Sequence, residues 1–139
     1  MKNLILLLSI VCFGVNAQTF VSTTPENKNV VLEEFTGIYC TFCPDGHVIG
    51  QGLHDSYPND IFLINIHTGG YSNPNGPSDP DFNSNHGAAI AANSGLAGYP
   101  AGTVNRHVFP GITPQGSAGT TALSRGDWGA ASADIMSQA

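Results

Sequence analysis

The residues of this sequence best suited to chemistry are two cysteines separated by two residues, Cys40 and Cys43. An apolar segment that predicts a strand precedes them, and Pro44, which suits the first turn of a helix, follows. At a helix N-terminus, unpaired backbone N–H groups and the helix dipole favour a thiolate and lower the pKa of a cysteine. We therefore predict that Cys40 is the exposed thiol that attacks a disulfide and that Cys43, one turn inward, resolves the mixed disulfide.

A static disulfide and a metal site are the alternatives for this pair. A disulfide that closes so short a loop restrains the unfolded chain little, which favours a chemical role over a structural one. A zinc site normally needs four nitrogen or sulfur ligands, and no further cysteine follows residue 17. His47 with His67 or His107 would complete a mononuclear site, although single histidines are more often surface or packing residues. We expect neither a metal nor a cofactor.

The first 17 residues have the pattern of a secretory signal peptide. The charged Lys2 precedes an apolar segment over residues 4–15, and short side chains lead to Ala17. The apolar segment is shorter than the roughly 20 residues that span a bilayer, so we predict cleavage and no integral membrane span. We therefore expect an exported protein, located in the periplasm, at the outer membrane or outside the cell, where cysteines meet oxidising conditions.

The composition indicates one globular domain and argues against nucleic acid as a partner. Hydrophobic residues make up 41% of the chain, charged residues make up 10%, and the formal net charge is −6. Cleavage after residue 17 leaves about 122 residues, enough for one compact domain. The basic residues then left are Lys28, Arg106 and Arg125, too few for the phosphate contacts that dominate nucleic-acid binding.

Strands alternate with helices along the chain. The strands are predicted over residues 30–35, 61–66 and 103–108. The first helix is predicted over residues 44–57. The second is predicted from a cap at Asn83 or Ser84 to about Gly95. The third is predicted to follow a cap at Ser124, and its residues Trp128, Ala131 and Ile135 share a face. This alternation favours an α/β sandwich with a mainly parallel sheet.

The predicted domain covers residues 30–139 and follows an extended lead-in over residues 18–29. No closing strand is predicted after the last helix, which leaves open that the chain is the N-terminal part of a longer protein. Residues 110–121 are read as irregular.

A long irregular loop over residues 68–82 follows the second predicted strand. Loops of this length in compact domains are usually functional or mobile. If the first two strands are parallel, the loop and the Cys40 turn leave the sheet at the same edge, so we expect the loop to border the cysteines and to present Tyr71 to a partner. A tolerated surface insertion is the alternative. Turn formation explains Asp79 and Asp81 better than calcium binding does.

The segment around the cysteines resembles the active site of the thioredoxin superfamily. Phe35 ends an apolar strand, and the aromatic Tyr39 directly precedes Cys40 and Cys43. A wider set of motifs looks like the thioredoxin-like domain of the bacterial family related to outer membrane protein twenty-eight. These motifs lie at residues 33–37, 40–47, 98–100 and 104–106. The resemblance extends from about residue 30 to residue 135.

This resemblance implies a thioredoxin-like sandwich, in which helices flank a central mixed sheet. It also implies that Glu34 is a buried acid that moves the proton of the resolving cysteine, although Glu33 competes for the inward position. The bond between Tyr99 and Pro100 is expected to be cis and to lie against the cysteines. The residues expected to contact substrate are aromatic: Tyr39, Phe42, Tyr71 and Tyr99.

The function that follows is thiol–disulfide exchange on exported proteins. The expected partners are protein thiols and disulfides of the cell envelope, and outer-membrane association is a further expectation. Tyr39 replaces the usual tryptophan and Thr41-Phe42 replaces the usual Gly-Pro, so the redox direction stays open. The alternative is a non-catalytic binding or adhesion module of the cell envelope that keeps the thioredoxin fold and a static disulfide.

Overall fold

The computed structural model describes residues 24–138, which contain four strands in one sheet and three α-helices. The strands are β1 (Val30–Thr36), β2 (Ile61–His67), β3 (Ala101–Val104) and β4 (Leu123–Ser124). The helices are α1 (Cys43–Ser56), α2 (Asn85–Ser94) and α3 (Trp128–Met136). The predicted signal peptide lies outside the described residues, and residues 24–29 of the lead-in are exposed.

The sheet is mixed, and its strand order is β2-β1-β3-β4. β1 and β2 are parallel, with Val30 opposite Ile61 and Thr36 opposite His67. β3 is antiparallel to β1, and β4 is antiparallel to β3. The expectation of a mainly parallel sheet is therefore wrong. β3 begins beside the C-terminal end of β1, which leads to the cysteines, and runs in the opposite direction to β1. The predicted mixed sheet flanked by helices, a thioredoxin-like α/β sandwich, is confirmed.

Helices cover both faces of the sheet. Because side chains alternate along a strand, Leu32 and Glu34 point to one face of β1 while Glu33 and Phe35 point to the other. Leu32 lies in the core formed with α1 and α3, which contains the buried Trp128. Phe35 packs in a smaller core with residues of α2. The two faces of β1 therefore meet different helices.

The third strand is shorter than the predicted strand over residues 103–108. It ends at Val104, because Asn105 and Arg106 adopt left-handed backbone conformations with φ of 49° and 48°. The side chain of Asn105 stabilises this turn by accepting the backbone N–H of Val31 at 2.6 Å and donating to the carbonyl of Asn29 at 2.9 Å. Such side-chain contacts with distant backbone leave no periodic signal in the sequence.

The last helix also begins later than predicted. Ser124 precedes a short 3₁₀ turn and makes no capping hydrogen bond through its side chain; the N-cap of α3 is Asp127. Strand β4 lies just after the segment read as irregular. The indole of Trp128 donates to the carbonyl of Leu123 at 3.3 Å. The predicted shared face of this helix is correct, since Trp128, Ala131 and Ile135 are all buried.

The second helix has one of the two predicted caps. The hydroxyl of Ser84 accepts the backbone N–H of Gly87 at 3.0 Å, and Gly95 ends the helix in a left-handed conformation. Within residues 24–138, no helix is long and apolar enough to cross a membrane.

Candidate redox site at the start of helix α1

The two predicted reactive cysteines are joined in a disulfide at the N-terminus of α1. Their Cα atoms are 5.3 Å apart, and the backbone N–H of Cys43, the first residue of the helix, donates to the carbonyl of Cys40 at 3.3 Å. Cys43 is 1% exposed and Cys40 is 7% exposed. Cys40 is thus less exposed than expected, because aromatic side chains stand around it, but it remains the more accessible of the two.

A cis peptide bond joins Tyr99 to Pro100, as predicted from the resemblance. Ala101 follows directly and pairs with Phe35, so the cis turn lies at the end of β1 from which the chain continues to the cysteines. Tyr99 lines the same cavity as Cys40. The cis turn and the disulfide are therefore neighbours at one edge of the sheet.

A cavity of about 330 Å³ opens beside Cys40. Its lining combines small residues with three aromatic side chains: Cys40, Thr41, Phe42, Tyr71, Ala97, Gly98 and Tyr99. The rings of Tyr71 and Tyr99 meet edge to face with their centroids 5.6 Å apart. Phe42 is largely exposed, at 63%. Three of the four residues predicted to contact substrate thus stand together around the sulfur predicted to attack.

Tyr39, the fourth predicted contact residue, holds the long loop instead of lining the cavity. Its backbone N–H donates to the carbonyl of Tyr71 at 2.9 Å, and its hydroxyl donates to Asp79. This hydrogen bond lowers the pKa of Asp79 and raises the pKa of Tyr39. Asp79 also accepts the backbone N–H groups of Asn75 and Gly76, which is turn chemistry. The loop therefore borders the cysteines, as predicted from the sheet.

Glu34 is fully buried and faces α1. Its Oε2 lies 3.1 Å from Nδ1 of His47, while its Oε1 has no hydrogen-bond partner among the described residues. Burial raises the pKa of Glu34 to about 7. Glu33 is buried on the opposite face, where Arg106 binds both of its oxygens at 2.5 and 2.7 Å. Glu34 is thus the acid on the α1 side of the sheet.

His47 bridges two residues of β1. Besides its contact with Glu34, its Nε2 lies 3.2 Å from the hydroxyl of Thr36. Its side chain is 38% exposed. The neighbouring His67 has a lowered pKa, caused by burial and then by the charge of His47, and its ring lies 4.9 Å from that of Phe82.

Sequence reasoning considered His47 as a metal ligand and missed its contact with Glu34. A signal was available, since His47 lies one helical turn after Cys43 and so shares its face of α1. In the described part of the chain, no group of three or more His, Cys, Asp or Glu side chains is placed to hold a metal ion. His107, another histidine considered for that role, has its ring 4.9 Å from the ring of Phe109.

The site therefore combines three parts that differ in environment. Cys40 borders a cavity, Cys43 is buried in the first turn of α1, and the carboxyl of Glu34 lies under the same helix near Gly46, three residues after Cys43. A carboxyl whose pKa lies near 7 can both take up and release a proton at neutral pH.

No protein-family model and no curated protein sequence matches the chain. Among solved structures, the chain is similar to HBP35 of Porphyromonas gingivalis, with a TM-score of 0.48 and 24% sequence identity. The similarity covers 81% of this chain and 33% of that chain, so this chain spans about a third of the length of the protein it matches.

Proposed function

We propose that this protein is an exported thiol–disulfide oxidoreductase whose redox centre is the pair Cys40 and Cys43. The observation that carries the proposal is the asymmetry of the disulfide. Cys40 lines an open cavity. Cys43 is buried in the first turn of α1, three residues before Gly46, where the helix meets the carboxyl of Glu34. A substrate sulfur approaching through the cavity meets Cys40 first, so attack and resolution fall to different cysteines.

The reductive half-reaction begins with the Cys40 thiolate. Its sulfur attacks a substrate disulfide, one substrate sulfur leaves as a thiolate, and a mixed disulfide forms. Cys43 then gives its proton to the carboxylate of Glu34 and attacks the sulfur of Cys40, which releases the second substrate thiolate. The substrate disulfide gains two electrons, and the cysteine pair loses them as its disulfide re-forms. Run in reverse, the same steps oxidise a substrate dithiol.

The lining of the cavity supports protein segments as substrates. Phe42, Tyr71 and Tyr99 offer large apolar surfaces with polar edges beside the attacking sulfur, which suits side chains that flank a cysteine in a polypeptide. Because residues 1–17 have the pattern of a secretory signal peptide, we expect the substrates to be proteins of the cell envelope. Because these contacts are apolar, a substrate does not need a positive charge to match the net negative charge of this chain.

The redox potential of the cysteine pair tests the proposal. For a catalyst we expect a value between about −270 and −120 mV, together with reduction of insulin disulfides; a structural disulfide lies below about −300 mV. The variants Cys40→Ser and Cys43→Ser are expected to abolish turnover. A potential below that limit with no insulin reduction would instead favour a non-catalytic binding module.

Export is tested separately from redox activity. The pattern of residues 1–17 supports cleavage after Ala17, so the mature protein is expected to begin at Gln18. N-terminal sequencing of the protein from fractionated cells measures this directly. A full-length protein that remains in the cytoplasm would contradict the proposed location and leave the redox chemistry to be judged by its own test.

A further inference from the structure

We propose that His47 is a positioning residue through which the buried carboxyl of Glu34 exchanges protons with solvent during the redox reaction. The inference rests on the proposed function, because it concerns the proton that Cys43 gives up. Glu34 is fully buried, and a proton held there needs a route out before the next turnover. The contact between Oε2 and Nδ1 of His47, at 3.1 Å, supplies the first step.

The other oxygen of the carboxyl, Oε1, lies against the backbone of α1. The backbone at Gly46 lies so close that a Cβ atom there would stand 2.6 Å from Oε1 of Glu34 and 2.9 Å from Cβ of Pro100. Among the described residues Oε1 has no hydrogen-bond partner. The contact available for proton exchange is therefore that of Oε2 with His47.

His47 itself reaches solvent, because 38% of its side chain is exposed. Its Nε2 meets the hydroxyl of Thr36, which can donate or accept a hydrogen bond. Both neutral tautomers of the ring are thereby supported: a proton on Nε2 leaves Nδ1 free to accept from Glu34, and a proton on Nδ1 donates to the carboxylate. Transfer from Glu34 gives an imidazolium and a carboxylate, and the imidazolium then releases one proton to water when a ring hydrogen bond opens.

Two titratable groups outside α1 face this histidine among the described residues. Glu34 contacts it from β1, and His67 lies near it on β2. Burial and then the charge of His47 lower the pKa of His67. Within α1, Cys43 lies one turn before His47 and becomes titratable once the disulfide is reduced.

The coupling of the two side chains can be measured without turnover. In the oxidised protein, we expect the ¹³C signal of the Glu34 carboxyl to depend on pH in a way that involves His47, because Oε2 contacts its ring. His47→Asn keeps an N–H donor but cannot accept a proton from the carboxyl, so the pH dependence of the carboxyl signal should differ from that of the unmodified protein. Identical curves in both proteins would overturn the inference, whatever the outcome of the redox assays.

Reaction of the reduced protein with 5,5′-dithiobis(2-nitrobenzoate) separates attack from resolution. The first nitrothiobenzoate released reports attack by Cys40, and the second reports resolution by Cys43. In His47→Ala and His47→Asn we expect the first release to be unchanged and the second to slow about tenfold or more, within the range of acid–base assistance. Added imidazole should restore the second release in His47→Ala, which a purely structural role would not explain.

His86→Asn is the matched control, because His86 is an exposed histidine on α2. Both releases should keep their rates in this variant. An unchanged second release in the His47 variants, or a failure of imidazole to restore it, would overturn the inference. If the unmodified protein released no nitrothiobenzoate, the proposed function would fail instead, and the carboxyl titration would still decide whether Glu34 and His47 share a proton.

Discussion

Gly46 on α1 lies directly over the buried carboxyl of Glu34 on β1. A Cβ atom at position 46 would come within 2.6 Å of Oε1, and Cβ of Pro100 would be 2.9 Å from it. The first turns of the helix, the central strand and the cis turn thus meet at a residue without a side chain. This close approach places the carboxyl against the helix at Gly46, about one turn after Cys43.

Replacement of Gly46 by alanine should therefore damage both stability and the site. We expect Gly46→Ala to lower the free energy of unfolding by about 1–3 kcal/mol, because the added methyl group overpacks the contact with Glu34. Gly52→Ala is the matched control on the same helix, since nothing lies within 4 Å of its added Cβ, and it should stabilise the protein by up to about 1 kcal/mol. Denaturant unfolding measures both; equal effects would contradict the packing described here.

The buried acid should make stability depend on pH. Burial raises the pKa of Glu34 from 4.5 to about 7, so its contribution to stability is complete below pH 4.5 and is lost as the pH rises through about 7. Glu34→Gln cannot ionise and should become the more stable protein at alkaline pH, by up to about 3 kcal/mol. Unfolding of the oxidised proteins between about pH 4 and pH 8 measures the difference, and a pH-independent difference would contradict the raised pKa.

Short-range features of this site could be predicted from the sequence because they depend on adjacent residues. An apolar strand, a turn and a proline in the next helix place Cys40 and Cys43 at a helix N-terminus, and the structure confirms that placement. Alternation along β1 predicts that Glu33 and Glu34 face opposite ways. It does not say which face α1 covers, since that depends on how the helix returns across the sheet.

Contacts between distant segments could not be predicted in this way. The pairing of Glu34 with His47 depends on the rotation of α1 against β1, and neither residue type marks it. Similarly, Asn105 ends β3 by bonding to the backbone of Val31, 74 residues away. A strand predicted from hydrophobicity continues past that point, because the hydrogen bonds that stop it belong to another part of the chain.

The roles of the two cysteines predict different rates of alkylation. After reduction, Cys40 should react first with iodoacetamide at neutral pH, because it lines the cavity and lies before the helix N-terminus, which favours its thiolate. Because the thiolate is the reacting form, the preference should grow as the pH falls until Cys40 itself becomes protonated, and should then stay constant. Peptide mapping by mass spectrometry locates the label. Faster labelling of Cys43 would reverse the assigned roles.

The long loop should influence the choice of partner through Tyr71, which lines the cavity beside Cys40 together with Tyr99. We expect Tyr71→Ala to lower kcat/KM toward a protein disulfide by about two- to tenfold, since an aromatic contact contributes about 0.5–1.5 kcal/mol. The rate toward bis(2-hydroxyethyl) disulfide, a small substrate with no aromatic ring to pack on Tyr71, should not change. Tyr57→Ala, at a similarly exposed tyrosine at the end of α1, serves as the control. Shortening residues 68–82 to a few glycines and serines should reproduce the selective loss. If the shortened protein keeps unchanged rates toward both substrates, the loop is only a surface insertion.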